Sequence, residues 1–183
     1  MIYSFSLQTV GIVVGLLLVA AHGVALAAPA PTQTFLRTLP RSRFWGTVLL
    51  AISAVWAFWL VRTMDLGEFA RLRSMLTIAV PVGAVLAWQF VDEFLAVRAL
   101  GILCLLAAEP PLEAAFLRPE MSRLLLVTLA YAWILAGLFL VGMPYILRDL
   151  IAWVTSRTAA WRGLSMAGIL WGIALIACAI ALW

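Results

Sequence analysis

Carboxylates and arginines are scarce in this chain, and their positions decide what chemistry is open to it. Of the eight acids in 183 residues, five lie between positions 89 and 123: Asp92, Glu93, Glu109, Glu113 and Glu120. Gln89, Asp92 and Glu93 follow one another at helical spacing, so a single helix face can carry all three. Arg98 comes five and six residues after the two acids. That places it more than about 100° around a helix from either, too far for the usual pairing one turn apart. A carboxylate at membrane depth is costly and faces a cavity or a partner, whereas one at a turn between helices is hydrated. The expectation for Asp92 and Glu93 is the hydrated turn, with a proton or cation site as the alternative. Together with Arg98, Glu109 and Glu113, these residues form the candidate polar cluster.

Other chemistries find little support. His22 is the lone histidine, and two axial ligands cannot come from one histidine. It is read as a packed or interface-facing residue. Cys104 and Cys178 each sit inside an apolar run with no second cysteine or histidine nearby, and read as small buried hydrophobes. Nucleophile–base pairs, glycine-rich phosphate loops and metal-ligand spacings are absent from the sequence. No catalytic residue, metal or cofactor is assigned. The string Asp-Glu-Phe-Leu-Ala-Val-Arg at 92–98 resembles the E-E-x-x-x-R motif of the CAAX-processing intramembrane protease family. Asp92 stands for the first glutamate, the arginine is one residue further on, and the downstream histidines of that family have no counterpart. The resemblance would imply an intramembrane hydrolase.

Composition identifies the solvent. Hydrophobic residues make up 66% of the chain and charged residues 11%. A soluble domain needs far more charge to cover its surface, so lipid must meet most of this exterior. A net charge of +4 suggests nucleic acid in a soluble protein. Here the arginines fall at the ends of apolar runs and no basic patch carries interleaved aromatics, so nucleic acid is excluded as a partner. All twelve basic residues are arginine, a usage of GC-rich genomes. The expected setting is a multi-pass protein of a cell membrane, the bacterial inner membrane in particular.

The elements that must position the polar groups follow from the apolar runs. The fold class expected is an all-α integral membrane protein. It would be a single polytopic domain of six, alternatively five, transmembrane helices with short amphipathic interfacial helices. Spans are expected at about 5–28, 44–61, 76–91, 94–108, 124–147 and 163–183. The run 5–28 ends in an A-x-A pattern like a signal-peptidase site, but it lacks a basic leader and reads as a retained helix. Residues 29–43, with Pro29, Pro31 and Pro40, read as a connector. Residues 62–75 and 144–157 read as amphipathic interfacial segments, Pro144 starting the second. Residues 76–108 would make a helix of about 50 Å, too long for a bilayer core near 30 Å, so they must break at the charges. The connector 109–123 holds Pro119 and Glu120, which suit the first turn of the next helix.

Gly11 with Gly15, and Gly168 with Gly172, are spaced four apart and can admit a second helix closely. Span, arginine-bearing connector and span recur in both halves, with Ser42-Arg43 echoed by Ser122-Arg123, a plan compatible with inverted repeats. With six spans, seven arginines fall on one side and five on the other.

The reading that follows is a non-catalytic accessory or scaffold subunit of a membrane complex, its partners the bilayer and other membrane subunits or copies of itself. The alternatives are a small transporter or proton-coupled carrier using intramembrane acids, and an intramembrane hydrolase or lipid-modifying enzyme. At least four runs can each cross a bilayer. The chain should therefore stay with the membrane pellet through alkaline carbonate extraction. Release into the supernatant would end the membrane reading.

Overall fold

In the computed structural model, Tyr3 and residues 5–91 and 94–183 are described. Among these residues every regular element is helical. The α-helices in chain order are α1 (Leu7–Ala27), α2 (Pro29–Thr38), α3 (Arg43–Thr63), α4 (Arg73–Phe90), α5 (Leu95–Ala107), α6 (Glu109–Ala115), α7 (Arg123–Gly142), α8 (Tyr145–Ser156) and α9 (Thr158–Ala181). Short 3-10 turns at Leu39–Arg41 and Gly67–Leu72 precede α3 and α4. Six stretches are long and apolar enough to cross a membrane: α1, α3, Gly67–Phe90, Leu95–Ala115, α7 and α9.

Successive members of this set run in alternating directions, as cross-links at each end show. At one end Tyr3 bonds to Glu113 and Trp56, and the Trp183 indole donates to Ser122 Oγ at 2.7 Å. At the other end the Trp161 indole donates to the Ala25 carbonyl at 3.0 Å, and Trp88 reaches Thr47 Oγ1 at 3.2 Å. These are called below the Tyr3 end and the α2–α8 end.

Two glycine-lined crossings hold the bundle. A methyl group added at Gly15 would lie 2.7 Å from the Gly172 carbonyl, and one at Gly172 would lie 2.7 Å from the Gly15 carbonyl. Only glycine allows that approach of α1 to α9. Gly11 takes the ring of Trp183, and Gly168 takes the ring of His22, three of whose atoms would be 2.5 Å from an added methyl. The same reciprocity joins α5 to α7, where Gly101 and Gly137 face each other's carbonyls at 2.9 and 2.7 Å from the added carbon. α5 is the central helix, with Leu95, Ala96, Val97, Ala99 and Gly101 buried. Its other main neighbour, α3, brings the buried Ser53, whose hydroxyl bonds to Leu49 O at 2.8 Å and to Ala99 O at 3.3 Å.

Several connectors are more regular than their prolines suggest. Residues 29–38 form α2, because Pro29 and Pro31 occupy a first turn, where a missing N–H removes only an orphan donor. Pro110 and Pro111 occupy the first turn of α6 for the same reason, so the run continues past Ala107 to Ala115. Pro119 lies outside any helix, and α7 starts four residues later at Arg123. α8 begins directly after Pro144. α4 and α5 are separate helices, with the break between Phe90 and Leu95. Asp92 and Glu93 fall in that break and lie outside the described residues. The echo of Ser-Arg is one of composition: Ser42 caps α3 by accepting from Trp45 N, whereas Ser122 makes no cap and receives Trp183.

If the α1–α9 crossing depends on backbone proximity, Gly172→Val should cost about 1–3 kcal/mol through overpacking. Gly23→Ala, where an added methyl meets nothing within 4 Å, should be neutral or slightly stabilising. Thermal midpoints of the two variants in detergent would check this, and equal midpoints would refute it.

Candidate functional site

The candidate polar cluster is divided by the length of α5. Gln89, in the last turn of α4, is exposed, and Arg98, in the first turn of α5, is half-buried. Among the described residues the Arg98 Nε is shut from solvent with no hydrogen-bond partner. Glu109 and Glu113 lie at the opposite end, beyond the 13 residues of α5, roughly 20 Å away along the helix. The structure therefore pairs Glu109 with Glu113, one turn apart on α6, and leaves Gln89 and Arg98 elsewhere.

At the Tyr3 end these two glutamates line an open groove of about 460 Å³. Its walls are Met64 and Asp65 after α3, Leu105 and Ala108 of α5, Leu112 of α6 and Ile134 of α7. Local capping fixes these walls. Arg73 Nη2 donates to Met64 O at 2.7 Å and closes the end of α3. Asp65 Oδ1 then accepts from Gly67 N at 3.0 Å, a turn that Gly67 completes at φ +49. α6 ends with Leu117 at φ +55, and Arg123 Nη1 holds the Ala115 carbonyl at 2.7 Å. Asp65 thus joins Glu109 and Glu113 in one apolar-walled groove.

A second cavity of about 250 Å³ lies beside it, lined by Tyr3, Phe5, Ser6, Ala114, Phe116 and Arg118. Glu113 lines both spaces. Its Oε2 accepts the Tyr3 N–H at 2.8 Å, and the Trp56 indole donates to the Tyr3 hydroxyl at 2.5 Å. The Tyr3 ring also packs on Trp59, with centroids 5.4 Å apart. Burial pushes the Tyr3 phenol above its ordinary range. The Trp56 bond opposes that push, and the charges of Glu109 and Glu113 add to it.

Chemically, the groove offers carboxylate oxygens in an apolar wall, a setting for a proton, an ammonium group or a small cation. Among the described residues, no three His, Cys, Asp or Glu side chains are placed to hold a metal ion. His22 is far from the groove. Its Nδ1 pairs with Leu18 O at 2.9 Å and its ring covers Gly168. Asp65, Tyr3 and Trp56 were not singled out from the sequence. Tyr3 meets Glu113 across 110 positions, and no local spacing marks such a pair.

An unfolded phenol ionises near pH 10. Because the Tyr3 value is higher in the fold, its contribution is complete below about pH 10 and is lost as the pH rises through the folded value. Wild type should exceed Tyr3→Phe by about 0.5–1.5 kcal/mol near neutral pH, the worth of the lost Trp56 bond. That margin should shrink above about pH 10, as read from paired thermal midpoints. A margin constant to high pH would show that Tyr3 is not held in this way.

Compared with known proteins, the chain matches no family model, no curated protein and no solved structure.

Proposed function

We propose that this chain is a multi-pass cell-membrane protein without catalytic machinery of its own, acting as an accessory or scaffold subunit of a membrane assembly. The observation that carries this reading is α4. It belongs to a stretch long enough to cross a bilayer, yet it buries none of its residues. Within the bundle it packs on α3 and the turn before it, leaving Met75, Ile78, Val82, Val85 and Phe90 exposed. The close glycine seams are used inside the chain, between α1 and α9 and between α5 and α7. A partner subunit would therefore be met on α4 rather than on a free glycine face. The arginine surplus at the α2–α8 end favours placing that end in the cytoplasm.

A second reading rests on the groove. Glu109 and Glu113 stand one turn apart beside Asp65, an arrangement a proton-coupled or cation carrier could use.

A photo-crosslinking residue at Ile78, compared with one at Leu17 on α1, tests the first reading in native membranes. Both positions are similarly exposed, at 65% and 64%. A discrete protein adduct from position 78 alone is expected, and lipid adducts alone from both positions would overturn the accessory role. In proteoliposomes, dissipation of an imposed pH gradient that is lost in Glu109→Gln would instead favour the carrier.

A further inference from the structure

We infer that the corner where α2 meets α8 is a binding surface for the phosphate of anionic phospholipid headgroups. The inference rests on the membrane reading above and names the lipid class.

The two helices are joined by one side chain. Arg37, in the last turn of α2, donates through Nε to Thr155 Oγ1 at 3.0 Å and through Nη2 to the Thr155 carbonyl at 3.3 Å. Thr155 is in the last turn of α8, so Arg37 also satisfies a free carbonyl there. Arg157 follows two positions later, stacked over the Trp153 ring at 5.3 Å. Arg41 lies one turn beyond Arg37, at the end of the 3-10 turn before α3. All three are exposed. The fixed ion pair nearby, Arg148 with Asp149 at 2.8 Å, accounts for the neighbouring acid.

No carboxylate occurs in residues 28–43 or 150–183, the two stretches that build this corner. In the sequence, the α2–α8 end has seven arginines against Asp149 and the two acids of the α4–α5 break, Asp92 and Glu93, which lie outside the described residues, while the Tyr3 end has five arginines against five acids. The positive charge is therefore concentrated at one end and uncompensated at this corner.

Lipid is favoured over a soluble anion because of what surrounds the arginines. α2 and α8 are amphipathic, and Phe35, Tyr145 and Trp153 are exposed alongside them. Amphipathic helices with arginine and aromatic side chains, set at the end of apolar spans, match the depth at which phosphates sit. Guanidinium groups pair with phosphate through two N–H donors at once.

The test uses the full chain reconstituted in phosphatidylcholine vesicles with or without phosphatidylglycerol. Thermal midpoints are recorded there, and retained lipid is read by native mass spectrometry after extraction. Phosphatidylglycerol should raise the midpoint and be retained in preference to phosphatidylcholine. Each arginine near an anionic surface contributes about fivefold in affinity, so Arg37→Gln, Arg41→Gln and Arg157→Gln combined should weaken retention by about tenfold to a hundredfold. Arg62→Gln, Arg71→Gln and Arg118→Gln combined, at the opposite end, should leave it unchanged. Should the first triple variant not fold, Arg157→Gln alone, with Arg157→Lys restoring part of the loss, serves the same comparison. Equal loss from both triple variants, or no preference for phosphatidylglycerol in wild type, would overturn the site. Stabilisation by inorganic phosphate equal to that of the lipid would assign the corner to a soluble anion and overturn it too. A chain that fails to enter either kind of vesicle would instead refute the membrane reading on which the proposal rests.

Discussion

In a lipid solvent, helices that are apolar on every side would gain little by choosing one apolar face over another, so their association would depend on how closely their backbones approach. In this bundle that approach occurs at two crossings, Gly15 against Gly172 and Gly101 against Gly137. The first clamps α1 to α9 and so brings the two ends of the described chain together. The second sets α7 on α5, the most enclosed helix. Around these crossings the remaining contacts are fitted: Leu126, Leu175 and Val97 reach full burial, and Ser53 bridges α3 to α5 through a carbonyl. The polar groove at the Tyr3 end lies between elements brought together by that packing, lined from the end of α3 and from α5, α6 and α7.

Tryptophan indoles do much of the joining at the bundle's ends. An indole N–H needs an acceptor when withdrawn from water, and three of them find one on another element, whereas the buried Trp171 Nε1 has no partner among the described residues. Trp161 uses a helix-end carbonyl, Trp183 a serine hydroxyl and Trp56 the Tyr3 phenol. These bonds tie apolar bodies to fixed polar atoms, so they set register where hydrophobic contact alone would allow sliding. Arginines play a comparable part at helix C-termini, where Arg37, Arg73 and Arg123 each satisfy a carbonyl left free by the end of a helix.

Charge is sorted between the ends by the same economy of polar groups. The Tyr3 end balances its arginines with acids and contains the groove. The α2–α8 end is almost without acids among its described residues and presents arginines with aromatics. The two ends therefore differ in chemistry: carboxylates in an apolar-walled groove at one, arginines beside exposed aromatics at the other. The exposed length of α4 belongs to neither end.

The all-helical class, six long apolar stretches and the break near residues 90–95 were legible in the sequence. They depend on local properties, namely hydrophobic run length and the cost of placing charge within a long apolar run. The glycine pairs at 11, 15, 168 and 172 could be singled out by spacing, but spacing did not say that they would meet each other. Regular helix in 29–38 and 109–115 was hidden by prolines, whose effect depends on whether they fall in a first turn. The division of Gln89 and Arg98 from Glu109 and Glu113, and the joining of the latter to Asp65 and Tyr3, were decided by tertiary structure alone. Sequence order records neighbours along a helix of 1.5 Å rise per residue. Which helix ends share a site depends on how antiparallel helices return, and that is determined by packing between residues far apart in sequence, from Gly101 and Gly137 to Tyr3 and Glu113.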